Sequence, residues 1–105
     1  MRRVITIDGQ AVPIEFSADT PRQYRELFGR DLIQDMMVMQ KTVDTTILEN
    51  LAFVMARDAD EELRDATIHD WLKRFDNVTA MYGAADQILA AWTDNVKTSS
   101  ESKKK

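Results

Sequence analysis

The residues able to do chemistry are few, and they do not converge. His69 is the only histidine and the chain has no cysteine, so neither a His/Cys metal cluster nor a thiolate nucleophile can be built from it. The densest run of carboxylates is the stretch 58–65, Asp-Ala-Asp-Glu-Glu-Leu-Arg-Asp. Nothing there pairs them with a base, a nucleophile or an apolar pocket that would shift a pKa toward catalytic use. The expectation is a protein with no catalytic residue, no metal and no cofactor. The stretch 58–65 reads as an acidic polar linker, and His69 as a solvated residue in the first turn of a helix.

Length and charge narrow the classes further. A chain of 105 residues, 44% of them hydrophobic, is the size of one domain with one modest core. The absence of cysteine agrees with a reducing, intracellular setting. Met1-Arg-Arg-Val-Ile-Thr-Ile has a basic start, but its apolar run breaks at Asp8, too soon for a signal peptide, and no stretch is long enough to span a membrane. A net charge of −4 argues against general nucleic-acid binding, because the phosphate backbone rewards clustered Lys and Arg.

The elements that must position any functional surface follow from turn and capping signals. The stretch 19–36 reads as the organising element: Thr20 is placed to cap a helix, Pro21 suits its first position, and Gly29 can close it in the left-handed conformation. Asp31 then caps the next helix. Before it, Ile5 and Ile7, then Val12, Ile14 and Phe16, alternate around Asp8-Gly9 and predict a hairpin over 3–16, with Pro13 on an edge where no N–H is needed. Helices are expected at about 21–28, 31–43, 44–57, 68–75 and 78–96. Asp44 and Thr67 serve as caps. The last helix carries one inward stripe of Val78, Met81, Tyr82, Ala85, Ile88, Leu89, Trp92 and Val96. The fold class is α+β, mainly α: an N-terminal β-hairpin packed on a small bundle of about five helices. A single globular domain over 1–96 is followed by a disordered polar, Lys-ending tail over 97–105.

One helix has more apolar surface than a core requires. Leu32, Met36, Met39 and Val43 recur at helical spacing as an inward face, yet Ile33 and Met37 widen the band and Val38 falls nearly opposite. On the following helix Ile47, Leu48, Leu51, Val54 and Met55 form the inward face, and Phe53 points away from it. Ile33, Met37, Val38 and Phe53 are therefore the candidate partner-binding residues. Methionine suits such a role because its flexible thioether repacks against varied apolar partners.

The segments Tyr24-Arg-Glu-Leu-Phe-Gly-Arg-Asp-Leu32 with Asp35, Ala52-Phe-Val-Met-Ala56, Trp71-Leu-Lys-Arg-Phe75, Ile88-Leu-Ala-Ala-Trp92 and the lysine ending at 103–105 resemble, in this order, the tail assembly chaperones of long-tailed (siphovirus-like) phages and prophages. The resemblance implies a non-catalytic factor of the host cytoplasm, absent from the mature virion. It would bind the tape measure protein, keep it soluble and promote assembly of the tail tube around it. It also implies a programmed frameshift: A-rich codons for Lys103, Lys104 and Lys105 would let some ribosomes append a second domain, through which a longer product recruits tail tube subunits. Self-association is a further expectation.

The alternative is a small helix-turn-helix transcriptional regulator of phage or prophage origin, because helix, Gly29 corner and helix have that outline. Against it, the second helix opens with Asp31 and Asp35, which would face phosphates beside Arg30 alone. In a gel-shift titration at low salt the protein is expected to show no sequence-dependent DNA binding. Sub-micromolar specific binding would favour the regulator.

Overall fold

The computed structural model describes the backbone of residues 1–104 and the side chains of residues 1–96. Its architecture is α+β and mainly α. A two-stranded antiparallel hairpin, β1 (Arg2–Ile7) and β2 (Gln10–Glu15), is followed by α1 (Thr20–Phe28), α2 (Leu32–Met39), α3 (Thr45–Ala59), a 3-10 turn (Glu61–Leu63), α4 (Ile68–Leu72), α5 (Ala80–Gly83) and α6 (Ala85–Lys104). The expected disordered tail, 97–105, lies outside the residues whose side chains are described.

The hairpin forms where its turn residues allow it. Asp8 and Gly9 both take positive φ, 52° and 77°, the pair of left-handed conformations that a two-residue turn needs to match strand twist. Register follows from Ile7 opposite Gln10 and Val4 opposite Pro13. Counting back from the turn puts Pro13 at a non-hydrogen-bonded position, where its missing N–H costs the ladder nothing. Ile5, Ile7, Val12 and Ile14 are buried on one face. The outer edge of β1 is partly closed by α6: Thr6 donates its N–H to Gln87 Oε1 at 2.9 Å and accepts from Gln87 Nε2 at 3.1 Å.

The centre of the fold is α3, not the 19–36 stretch. It packs against β2, the 3-10 turn and all the other helices, and from Ile47 to Ala56 every residue except Glu49 is buried. Asp44 starts it as expected, its carboxylate accepting the N–H groups of Thr46 and Ile47. A helix covered on one side would leave Phe53 outside. Here the hairpin, α1 and α4 surround α3, and Phe53 is 2% exposed, its ring 5.6 Å from that of Trp71, which in turn meets Phe75 edge-on at 5.2 Å. The surface position expected for Phe53 is thus corrected. It is core.

Several boundaries also move, each for a local reason. Thr20 does not cap α1: it is itself helical and buried, and its hydroxyl accepts the N–H of Ser17, while Asp19 occupies the cap position. α2 ends at Met39 rather than 43 because Asp44 must be extended to cap α3, and the chain turns first through Lys41 and Thr42, whose N–H groups reach Val38 O. α4 stops at Leu72, with Arg74 and Phe75 continuing in i→i+3 bonds that keep Phe75 inward. The expected 78–96 helix is two helices broken at Gly83-Ala84. Glycine is the weakest helix former there apart from proline, and the break changes the face that each segment presents. Val78 precedes α5 and is fully exposed, and Tyr82 is exposed as well, so the single inward stripe does not hold, although Met81 and Ile88 are buried. The stretch 58–65 is not a pure linker either: it contains the end of α3 and the 3-10 turn that buries Leu63.

Truncating Phe53 to Ala should cost about 3–5 kcal/mol, as expected for a buried aromatic, read as a lower denaturation midpoint with an unchanged slope. A loss under about 1 kcal/mol would place Phe53 on the surface after all.

Candidate interaction surface

α2 is held to the body by its inward residues and by one charged lock, and this leaves its other side free. Leu32, Met36 and Met39 are buried. Asp31 caps the helix, its carboxylate accepting the Gln34 N–H at 3.0 Å, and Gly29, at φ 67°, closes α1 just before it. Asp35 enters the interior from α2. Tyr24 of α1, fully buried, donates its hydroxyl to Asp35 Oδ2 at 2.7 Å. Arg30 closes the pair with two bonds, Nε to Oδ2 at 2.8 Å and Nη2 to Oδ1 at 2.7 Å. A buried carboxylate is tolerable only when its oxygens are satisfied, and the bidentate guanidinium does this while its own outer face remains in water.

The electrostatics agree with the geometry. Hydrogen bonding to Arg30 holds the Asp35 carboxyl below its ordinary range, against the opposing effect of burial. Burial and the bond to Asp35 push the Tyr24 phenol well above its ordinary value, so it stays a neutral donor. Asn50 of α3, itself buried, lies beside the Tyr24 hydroxyl and partly offsets that rise, so the polar node abuts α3.

With its inner face so fixed, α2 presents Ile33 (51% exposed), Met37 (61%) and Val38 (43%) to solvent. Ile33 and Met37 are one turn apart on one ridge. Met37 and Val38 line a shallow apolar groove with Gln40, Lys41 and Thr42. Gln40 also borders a second groove, between α2 and α6, formed with Met36, Met39, Leu89 and Trp92. Three of the four candidate partner residues are therefore together at the surface, and Phe53 is not among them. The α6 contribution is not legible from periodicity: Leu89 and Trp92 belong to the predicted inward stripe, and they are only partly buried, lining the groove edge. Val43, predicted on the inward face of α2, is 47% exposed and lies beyond the end of that helix.

The exposed part of α2 carries Ile33, Gln34, Met37 and Val38 but no Lys or Arg, the reverse of what a phosphate-facing recognition helix presents. Among the described residues no group of three His, Cys, Asp or Glu side chains is placed to hold a metal ion, and no helix is long and apolar enough to cross a membrane. What the fold and surface define is a small α+β domain with an apolar helix ridge and adjoining grooves. The chain matches no family model, no curated protein and no solved structure.

The Asp35 lock makes a pH prediction. The folded-state pKa is lowered from 3.8, so the stabilisation is complete above the unfolded value and is lost as pH falls through the lower folded value. Glu49 acts in the opposite sense, since burial raises its carboxyl. Asp35→Asn should therefore be less stable than wild type at neutral pH, with the gap narrowing below the ordinary Asp value. Thermal melts across acid pH check this. A gap independent of pH would show that the lock contributes by packing alone.

Proposed function

We propose that the protein is a non-catalytic tail assembly chaperone, in which the α2 surface binds apolar, helical segments of a phage tape measure protein and keeps that protein soluble in the host cytoplasm until the tail tube forms around it. The observation that carries this reading is the joint exposure of Ile33, Met37 and Val38 on one helix whose opposite face is core. An i, i+4 apolar ridge beside a groove is how a helix surface receives another amphipathic helix. Exposed apolar residues gathered on one element mark contact surfaces more often than singly scattered ones do. The methionines suit a partner with many similar but non-identical segments. The identity of the partner rests on the sequence resemblance, as do the frameshifted longer product and the exclusion from the mature virion.

The regulator reading has no observation in its favour on α2, whose exposed side lacks cations.

The decisive experiment is co-expression with the product of a neighbouring gene encoding a very long, helix-rich protein. The wild-type chain should hold that protein in the soluble fraction and co-purify with it. Ile33→Ser and Met37→Ser, each at an exposed position, should weaken capture while shifting stability within about 0.5 kcal/mol. Undiminished capture by the double variant would remove α2 as the binding surface, and failure of the wild type to capture the partner would remove the chaperone reading.

A further inference from the structure

The cleft where α3, α4 and α5 meet shares no residue with the α2 surface. It is about 160 Å³, lined by Thr45, Glu49, Leu72, Phe75, Val78 and Met81 among others. Its lining is mixed, with Leu72, Phe75, Ala80 and Met81 on an apolar side and Thr45, Glu49 and Asn77 on a polar one, and Val78 at its edge is 99% exposed. Glu49 is the one residue between Ile47 and Ala56 that is not buried. Its carboxylate has no hydrogen bond and no ion pair to any described residue, although it is half-buried, and burial followed by the nearby Asp44 charge raises its pKa, with His69 opposing. A partly desolvated carboxylate with no hydrogen-bonded or ion-paired partner is a cost to the fold, and costs of this kind concentrate where a ligand later supplies the missing partner.

We propose that this cleft is a receptor for a lysine side chain of a partner polypeptide. Charge complementarity selects the occupant. The apolar side of the cleft matches a four-carbon stem, Glu49 on the polar side matches the ammonium at its end, and Asp44 adds to the same negative field. The space is too small for a large ring system, and an anionic or purely aliphatic side chain would leave Glu49 uncompensated. The site stands apart from the α2 reading, since it needs neither Ile33 nor Met37.

The test is an NMR titration of the whole isotope-labelled chain with a blocked alanine-based peptide carrying one lysine. Expected are shifts at Glu49, Leu72 and Met81. Binding should weaken about tenfold or more, roughly 1.4 kcal/mol, when the lysine is replaced by norleucine. Glu49→Gln should lose the same amount while melting no lower than wild type, because the wild-type carboxylate makes no bond that the amide would lose. Equal binding of the norleucine peptide, equal binding by Glu49→Gln, or no shift at millimolar peptide would each overturn the proposal. So would free n-butylammonium binding as tightly as the peptide, since the cleft would then be a small-amine site and not a docking site. Ile33→Ser with Met37→Ser should leave this titration unchanged, so failure here and failure of the α2 reading are read separately.

Discussion

The fold depends on one helix being covered from every side. Between Ile47 and Ala56, α3 exposes only part of Glu49, and no single neighbour is large enough to achieve this. A lone hairpin is marginal in water. The short α4 and α5 are well below the length at which an isolated helix persists. Each neighbour is ordered because it buries apolar surface on α3, and α3 is ordered because all of them do so together. This mutual dependence accounts for the joints between neighbours: Asp8 at the hairpin turn accepts the N–H groups of Asp76 and Asn77 after α4, Gln10 donates to Arg74 O, and Gln87 of α6 pairs with Thr6.

The Tyr24–Asp35–Arg30 node solves a different problem. α2 is short and apolar on more than one side, so hydrophobicity alone would not decide which side faces the core. A buried Asp35 with two specific partners has only one satisfied orientation, and a rotated α2 would strand its carboxylate. The orientation that satisfies Asp35 is also the one that leaves Ile33, Met37 and Val38 outside. The lock and the exposed ridge are two consequences of one placement.

Legibility from the sequence varied by element. The hairpin, the Asp31, Asp44 and Thr67 caps and the Gly29 stop were readable because each depends on a residue's own backbone preference or on a bond within a few positions of the chain. Thr20 failed as a cap because its hydroxyl found Ser17 N–H instead, a competition that spacing does not reveal. The end of α2 and the break at Gly83-Ala84 were missed because periodic patterns continue across them. The exposure of Ile33, Met37 and Val38 is legible because they depart from a regular inward face, and the same departure misleads for Phe53.

What the sequence by itself determined is the set of local choices: two strands with a left-handed turn, where most helices begin, and a composition with too few cysteines and histidines for a protein-built His/Cys metal cluster. These follow from backbone sterics, capping bonds and composition, which act over a few residues. Tertiary structure decided whether the apolar residues off the regular inward faces are covered. A residue such as Phe53 is inside or outside according to how many neighbours surround its helix, and Val78 or Tyr82 according to where a helix breaks. Both depend on contacts between residues far apart in the chain, and the periodicity of one segment contains no information about the elements that will be packed against it.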